Sequence, residues 1–543
     1  MSQEPTGYLA LVLHAHLPFV RHPEYPDFLE EDWFFEGVVE TYAPILMRLE
    51  KMRGEGLRFR LTMTVTPPLA TMLEDELLRG RMAKYLDTRI DLLKKEVAGN
   101  KGHHVHSLSD HYLREFQEIR EFIFGRHGGR LLNSLRGLQA SGHLEIITCA
   151  ASHGFAPLMS GVTSWRAQIM TAVRTHETYF GVKPRGIWLA ECGFDDGIDK
   201  ILAEAGLEYF FVDSHGILFG DPQPVFGPYA PVITEYGISV FARDSESSKQ
   251  VWSREEGYPG DFNYREFYRD LGYDANYDYI KPYLHSDGVR RGVGIKYHKI
   301  TGGGGLGDKQ FYDVAKGMEK AAEHAGNFMF NRQHQVRHLR DKTKYPPILV
   351  APYDAELFGH WWYEGPQFIE YLIRKINFDQ SEIELITGSD YLDRHPVRQL
   401  QRINPSTWGS EGYNLVWLNG ANSWIYRHQH WAEKKMEELA SRFPHAGGDL
   451  KRALNQLLRE LLLLQSSDWA FIMTTGTTVP YATKRFRQHL ERFRKLAEQI
   501  EENRLDSGFV RHLEGQDPIY PTIDYTDIFK KTDVADEPLY SFA

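Results

Sequence analysis

The chain has 543 residues, of which 42% are hydrophobic and 25% charged, so it is long enough to bury a sizeable core and is neither disordered nor fibrous. Its 63 Lys and Arg against 74 Asp and Glu give a formal net charge of −11 without a like-charged tail, which argues against nucleic acid and membrane as partners. Two cysteines, Cys149 and Cys192, are too few for a disulfide framework. The N-terminal sequence lacks the features of a signal peptide and no long apolar run follows. We therefore expect a globular, cytoplasmic protein.

Short apolar runs rich in β-branched residues recur along the first part of the chain and predict buried parallel strands. They span residues 8–14, 59–65, 144–149, 186–189, 209–212, 238–242 and 348–351, with a further candidate at 383–387. Helical segments separate most of these runs, and polar or charged residues follow each of them. An α/β barrel builds its functional site at the carboxyl ends of its strands in this way. The pattern favours a barrel of seven strands rather than eight, with a doubly wound sheet as the alternative.

Two other regions have helical patterns without strand signals. Between the second and third runs, apolar residues such as Ile90, Leu93 and Val97 follow helical spacing over a stretch too long for one crossover helix. After residue 395 the pattern changes to long helices. We therefore predict a catalytic barrel formed by residues 1–70 and 143–395, a helical insertion at 71–142, and a C-terminal α-helical domain at 396–543.

Two carboxylates occupy surroundings unlike those of surface acids. Glu191 ends an apolar run in GIWLAECGF, and Asp354 ends another in PYDAELFGHWWYEG, where Trp362 belongs to the aromatic stretch that follows. A poorly solvated carboxyl has a raised pKa and suits proton donation, whereas a better solvated one can attack. Retaining glycosidases need such a pair about 5–5.5 Å apart. A salt bridge to a neighbouring strand is the alternative for either acid, and their positions after two barrel strands favour catalysis.

Histidines at the ends of the predicted strands are candidates for binding substrate hydroxyls. His14 and His16 follow the first run and His153 follows the third. The rival interpretations are ordinary structural histidines and a His/Asp metal centre. Such a centre would draw its ligands from His14, His16, His153, His215 and Asp213 or Asp354.

Tryptophans in stretches rich in Gly, Asn and Ser form another group of candidates. Trp408, Trp417 and Trp424 lie close together in such a stretch, and Trp252 and Trp469 are similar. An indole ring can stack on the face of a pyranose. Core packing is the alternative for each one, but three in a non-periodic segment favour a substrate-binding wall.

The motifs HAHLPF, ASHGF, WLAECGF and PYDAELFGHWWYEG, with the C-terminal VWLN and SSDW stretches, resemble the conserved regions of glycoside hydrolase family 57. Its 1,4-α-glucan branching enzymes are the most similar, and the resemblance runs from His14 to about Trp469. It implies a (β/α)7 incomplete TIM-like barrel with a helical insertion and a C-terminal α-helical domain. It also implies Glu191 as nucleophile, Asp354 as general acid and base, an α-glucan such as amylose or a glycogen-like polysaccharide as substrate, and no metal or organic cofactor.

The residue patterns and the resemblance together predict further substrate contacts. Arg265 lies in YREFYRD, a stretch that resembles a substrate-contacting segment, and Tyr229 matches the tip of a mobile loop that keeps water from the covalent intermediate. The connection from Val212 to Tyr229 is shorter than expected of the family, which leaves the ratio of transfer to hydrolysis open. The predicted substrate-binding residues are His14, His16, His153, Tyr229, Trp252, Arg265, Trp362, Trp408, Trp417 and Asp468.

The expected function is that of a 1,4-α-glucan branching enzyme, which cleaves an α-1,4-glucan and transfers the chain to a 6-hydroxyl by a retaining double displacement. It would act in glycogen or α-glucan biosynthesis as a monomer or homodimer. The alternatives within the family are an α-1,4-glucan hydrolase and a 4-α-glucanotransferase. From other classes come a metal-dependent barrel hydrolase, such as a deacetylase or α-mannosidase-like enzyme, and a silent glucan-binding protein.

Overall fold

The computed structural model describes residues 4–252, 257–303, 305–528 and 538–541. Its strands, numbered in chain order, include one at each of the predicted apolar runs, while the two-residue strands β6 and β10 were not predicted. They are β1 (Gly7–Ala15), β2 (Leu61–Val65), β3 (Leu144–Cys149), β4 (Gly186–Trp188), β5 (Tyr209–Val212), β6 (Val232–Ile233), β7 (Ser239–Ala242), β8 (Ile348–Asp354), β9 (Ile383–Leu385) and β10 (Gln399–Leu400).

Seven parallel strands form the barrel in the order β7-β5-β4-β3-β2-β1-β8. The ring closes between β8 and the end of β7, where Arg243 bridges to Val350 and the Asp244 N–H donates to the Val350 carbonyl at 2.8 Å. The short β9 pairs with the start of β1, and β6 runs antiparallel to β7. The predicted (β/α)7 incomplete TIM-like barrel is therefore confirmed, and the further candidate run forms β9 beside the barrel.

Helices cover the barrel and continue beyond it. They are α1 (Glu31–Glu36), α2 (Ala43–Gly54), α3 (Pro67–Glu74), α4 (Glu76–Gly99), α5 (His106–Arg120), α6 (Leu132–Ala140), α7 (Val162–Phe180), α8 (Ile198–Glu204), α9 (Ser214–Leu218), α10 (Ser245–Trp252), α11 (Leu271–Asp274), α12 (Tyr277–Ile280), α13 (Val314–Thr343), α14 (Gly365–Phe378), α15 (Gly388–Arg394), α16 (Tyr426–Arg442), α17 (Gly448–Leu464), α18 (Ser467–Thr475), α19 (Val479–Glu501) and α20 (Ser507–Gln516).

Capping residues mark the ends of several helices. Asp75 accepts a hydrogen bond from the Leu78 N–H at the start of α4, and Asp313 accepts one from the Lys316 N–H at the start of α13. Gly181, in the left-handed conformation at φ 73°, ends α7. These groups satisfy donors that the first turn leaves unpaired and allow a sharp C-terminal turn.

The barrel interior and the C-terminal helices are packed with apolar side chains. Alternate residues of β1 face two sides, so that Ala10 and Val12 join Trp188 in the interior while Leu9 and Leu11 pack against the surrounding helices. In α17 the leucines from Leu454 to Leu464 are almost wholly buried, and each such side chain contributes roughly 1.5–3 kcal/mol by burial. This packing fixes both the strand ends and the helices that face them.

Helices α3 to α6 occupy the connection between β2 and β3, and helices α16 to α20 follow the last strand. The domain boundaries at 71–142 and 396–543 stay predictions, and residues 529–537 and 542–543 of the latter lie outside the described part of the chain. Within the described ranges, none of the helices has the length and apolar character that crossing a membrane requires.

Candidate active site

A cavity of about 530 Å³ opens at the carboxyl ends of the barrel strands. Its wall combines the ends of β1, β4, β7 and β8 with residues that follow the last strand of the fold. The predicted site residues that line it are His14, His16, His153, Glu191, Trp252, Asp354, Trp408, Trp417 and Asp468. The structure thus brings together side chains that are up to several hundred positions apart in the sequence.

Glu191 lies in a strained turn just after β4. Its backbone is left-handed, with φ 61° and ψ 23°, which is uncommon outside glycine and persists where the surroundings enforce it. The Trp408 N–H donates to the Glu191 carbonyl at 3.0 Å and helps to fix the turn. The Glu191 carboxylate accepts hydrogen bonds from the Trp408 indole at 2.8 Å and from the Ser467 hydroxyl at 3.1 Å.

Burial raises the pKa of Glu191 to about 7, and the negative charge of Asp468 adds to this rise. The hydrogen bonds from Trp408 and Ser467 act in the opposite direction because they stabilise the ionised form. Around neutral pH a substantial fraction of the Glu191 side chains is therefore ionised and able to attack.

Asp354 is the last residue of β8 and pairs in register with His14 of β1. Burial raises its pKa well above 3.8, and the charges of Glu356 and Glu191 raise it further, while Arg243 acts against them. Two carboxyls in one cavity resist simultaneous ionisation. The raised pKa favours the protonated form of Asp354, in which it can act as an acid.

Three histidines form a stacked cluster at the bottom of the cavity. His14 belongs to β1 and His16 directly follows its last residue, and both rings pack near His153. Nε2 of His14 lies 3.0 Å from Nε2 of His153. Burial lowers the pKa of His14 and of His153 well below 6.5, so both rings are neutral.

His16 connects the first strand to the C-terminal helices. Its Nδ1 lies 3.0 Å from the Thr66 hydroxyl, and its Nε2 lies 3.1 Å from a carboxylate oxygen of Asp468. Burial alone would raise the pKa of Asp468, but His16 and the Ser466 hydroxyl hold it at about 2. Asp468 is therefore a fixed negative charge in the cavity.

The donor atoms of His16, His153 and Asp468 lie within 4.8 Å of one another, which raises the question of a metal ion. The two rings stack with centroids 3.8 Å apart and planes 11° from parallel. Histidine binds a metal in its ring plane at about 2.0–2.1 Å, and stacked, nearly parallel rings hold their lone pairs in separate planes that do not meet at one ion. The ring nitrogens of His153 also bond His14 and Ser467. This geometry suits hydrogen bonding better than metal binding.

The tryptophans of the cavity differ in exposure. Trp252 ends α10 and is 39% exposed, whereas Trp417 is buried and stacks on Phe155 with centroids 4.5 Å apart. Trp408 packs edge-on against Trp188 at 4.9 Å. A partly exposed indole at the rim and two indoles in the wall provide apolar faces of the kind that sugar rings contact.

Arg265, Tyr229 and Trp362 are not among the residues that line this cavity, and their contacts with substrate stay predictions. The Arg265 guanidinium lies 3.8 Å over the Tyr363 ring, and Trp362 is 2% exposed among the core aromatics Tyr264 and Phe368. The side chains of Trp361 and Trp362 point to opposite sides of the turn, so Trp361, rather than Trp362, faces solvent. Tyr229 lies in a short turn packed against the main core.

Sequence reasoning missed several side chains at the cavity, namely Arg243, Glu356, Ser467 and Phe471. Arg243 directly follows β7, as the other site residues follow their strands, and that signal could have identified it. Its guanidinium donates to Asp213 at 3.2 Å and to Ser248 at 2.7 Å. Glu356 and Ser467 are neighbours of predicted residues, but only the fold shows that they face the same cavity.

The barrel with two half-buried carboxyl groups at its strand ends defines an enzyme of the glycoside hydrolase type. The family described as glycosyl hydrolase family 57 matches residues 10–405, and the one described as 1,4-alpha-glucan branching enzyme, C-terminal, matches residues 428–528. The chain therefore belongs to glycosyl hydrolase family 57.

Individual relatives cover nearly the whole chain. The 1,4-alpha-glucan branching enzyme TK1436 of Thermococcus kodakarensis is 34% identical, over 95% of this chain and 78% of its own. The solved structure of the alpha-amylase AmyC from Thermotoga maritima is 42% identical with a TM-score of 0.91, covering 97% of this chain and 99% of its own. The GH57-type branching enzyme from Pyrococcus horikoshii is 32% identical with a TM-score of 0.86, covering 99% of both chains.

Proposed function

We propose that this protein is a 1,4-α-glucan branching enzyme with Glu191 as nucleophile and Asp354 as general acid and base. The observation that carries the proposal is the pair of half-buried carboxyls in one cavity, with one held by two hydrogen-bond donors and the other given a raised pKa by its poor solvation and by neighbouring charges. The match of residues 428–528 to the C-terminal region of branching enzymes supports the choice among family activities.

The first step is attack of ionised Glu191 on the anomeric carbon of an α-1,4-linked glucose. The C–O bond to the departing chain breaks, and protonated Asp354 gives its proton to that oxygen. The product is a β-linked glycosyl-enzyme ester and a shortened glucan with a free 4-hydroxyl.

In the second step Asp354, now ionised, takes the proton from the 6-hydroxyl of an acceptor glucan. The resulting oxygen attacks the anomeric carbon, Glu191 departs as a carboxylate, and an α-1,6 branch forms with net retention. The acceptor is bound by the wall from the C-terminal part of the chain. In this wall Trp408 offers an indole face, the buried Trp417 supports the wall from behind, and Asp468 accepts hydrogen bonds from hydroxyls.

Hydrolysis is the second candidate activity, in which water replaces the acceptor hydroxyl. Two observations favour it as a competing reaction: the 42% identity to a structure described as an alpha-amylase, and the absence of Tyr229 from the residues lining the cavity. A side chain packed against the core does not cover the intermediate. The ratio of transfer to hydrolysis is therefore set by how far the Tyr229 turn moves when substrate binds.

The cellular setting follows from the substrate and the cysteines. An α-glucan such as amylose or a glycogen-like polysaccharide is the proposed partner, and the enzyme acts as a monomer or homodimer. Cys149 and Cys192 are both buried and unpaired, which supports a reducing compartment, the cytoplasm.

The test incubates the purified protein with amylose, with and without a chelator, and counts α-1,6 and α-1,4 linkages by proton NMR alongside reducing ends. New α-1,6 signals with few new reducing ends are expected in both samples. Reducing ends without α-1,6 signals would replace branching by hydrolysis, and loss of activity with the chelator would favour a metal-dependent enzyme. The Glu191→Gln variant serves as the inactive control.

A further inference from the structure

One serine connects the nucleophile to two buried histidines. Ser467, the first residue of α18, is 3% exposed, and its hydroxyl lies 3.1 Å from Oε1 of Glu191 and 2.8 Å from Nδ1 of His153. His153 Nε2 lies 3.0 Å from His14 Nε2. The Ser467 N–H also donates to the His153 carbonyl at 3.0 Å, which fixes the serine backbone against the histidine. We call this series of hydrogen bonds the serine–histidine relay.

Counting hydrogens gives the relay a direction. A hydroxyl has one hydrogen, and an ionised carboxylate can only accept. With Glu191 ionised, Ser467 must donate to it and accept from the Nδ1–H of His153. The Nε2 of neutral His153 then carries a lone pair and accepts from the Nε2–H of His14, which leaves a lone pair on Nδ1 of His14.

The reverse direction is less favourable. A Glu191 protonated on Oε1 would donate to Ser467, and each following bond would reverse until Nδ1 of His14 carried a hydrogen. The other oxygen, Oε2, already accepts from the Trp408 indole, which opposes a proton there. That nitrogen is buried and has no hydrogen-bond partner in the part of the chain that the structure describes. An unpaired buried N–H is rarer and costs more than an acceptor with an unused lone pair. The relay therefore favours the ionised form of the nucleophile.

We propose that Ser467 is a positioning residue for Glu191, and that the serine–histidine relay fixes its hydroxyl hydrogen on the nucleophile. The inference rests on the proposed function, because it assigns the relay a role in attack on the glucan. Because Ser467 belongs to the helices that follow the barrel, those helices complete the nucleophile's hydrogen bonds. The other titratable or hydrogen-bonding groups that act on Glu191 are His16, Asp468, Asp354, Cys149, Cys192 and Trp408.

The test is the pH dependence of kcat/KM for amylose cleavage by wild type and Ser467→Ala. The acid limb reports the free enzyme's essential base. Removing a donor to a charged acceptor is expected to move this limb about one pH unit upward, with kcat/KM about tenfold lower on the acid side and largely recovered at higher pH. Ser467→Cys, which keeps a weak donor, should fall between the two.

Ser109→Ala is the matched control, since it removes another buried serine hydroxyl, on α5, far along the chain from the cavity. Its pH profile should coincide with that of wild type. An unmoved acid limb in Ser467→Ala, whether or not the rate falls uniformly, would overturn the positioning role. Failure of wild type itself to cleave amylose would instead count against the proposed function.

A double variant tests whether serine and histidine act as one unit. His153 has φ 58°, a conformation that asparagine tolerates well, so His153→Asn preserves the turn while removing the relay. If the relay acts through Ser467, adding His153→Asn to Ser467→Ala moves the acid limb no further than Ser467→Ala alone. Additive displacement of the limb would show that His153 acts separately and would contradict the relay.

Discussion

Replacing Asp468 by asparagine removes one charge from the cavity with almost no change of shape. The pKa of Asp468 is about 2, against an ordinary value of 3.8, and each pH unit of difference corresponds to 1.36 kcal/mol. The ionised carboxylate therefore stabilises the folded state by about 2 kcal/mol near neutral pH. Asp468→Asn loses this contribution because its amide pairs more weakly with His16.

The sign of the pH dependence follows from the lowered pKa. A carboxyl whose pKa is lower in the folded than in the unfolded protein stabilises above about pH 4, and this contribution disappears as pH falls toward 2. The contribution of Asp468 itself to the difference in Tm between wild type and Asp468→Asn should be complete at pH 5 and should begin to shrink below about pH 4. Between pH 8 and 5 the difference also includes the changed pKa of Glu191. The Tm difference is measured by calorimetry with both proteins heated at the same scan rate. A chain this long need not unfold in a two-state, reversible way, and its Tm can then depend on that rate.

The same substitution should also lower the pKa of the nucleophile, Glu191. Burial is the main cause of the raised pKa of Glu191, and the charge of Asp468 is a further cause. Asp468→Asn should therefore move the acid limb of kcat/KM to lower pH, opposite in direction to Ser467→Ala. Asp278→Asn, an exposed change of equal charge, should move neither the limb nor Tm. An upward or absent displacement of the acid limb in Asp468→Asn, or a Tm difference that grows below pH 4, would refute the reasoning.

Three further variants follow from the site and the core. Glu191→Gln should reduce amylose cleavage and branching together by at least about a thousandfold, because both need the same ester intermediate. Asp354→Asn should be slow on amylose but much less impaired on an aryl maltoside whose leaving group needs no proton, as followed by phenolate release. Arg332→Met should destabilise the fold by about 3–5 kcal/mol in thermal unfolding, because Arg332 is 0% exposed and pairs with buried Asp244 at 3.2 Å.

Each of these three predictions would be contradicted by a specific result. Substantial activity in Glu191→Gln would remove it from the role of nucleophile. Equal losses on amylose and on the aryl maltoside would mean that Asp354 does not act as the acid. A Tm of Arg332→Met within a degree of wild type would show that Asp244 finds other partners, such as the Gln335 amide that already donates to it at 2.8 Å.

Local patterns determined the strands and the two principal carboxyls. The predicted runs at 144–149 and 209–212 coincide with β3 and β5, because a strand buried on both faces requires a continuous apolar run. Glu191 and Asp354 were recognisable since parallel strands in a barrel end at the same rim. Which residues follow a strand is a property of the sequence alone.

The tertiary structure decided which neighbouring side chains enter the cavity. Trp361 and Trp362 are adjacent residues of the same type, so the sequence does not distinguish them. Trp361 is 53% exposed and Trp362 is 2% exposed, because the turn directs them to opposite sides. Gly359 fixes that turn at φ 122°, where an added Cβ would collide with the Glu40 backbone. Such orientation depends on contacts with a distant segment that local sequence does not encode.

The hydrogen bonds of the nucleophile were also beyond the reach of the sequence. Trp408 and Ser467 lie more than 200 positions from Glu191, and only the packing of the later helices against the barrel brings their donors to its carboxylate. Sequence fixes which groups can donate or accept and where strands end. Distances within hydrogen-bonding range, and the burial that moves the pKa of Glu191 to about 7, arise only when the whole chain is folded, because both depend on atoms contributed by separate elements.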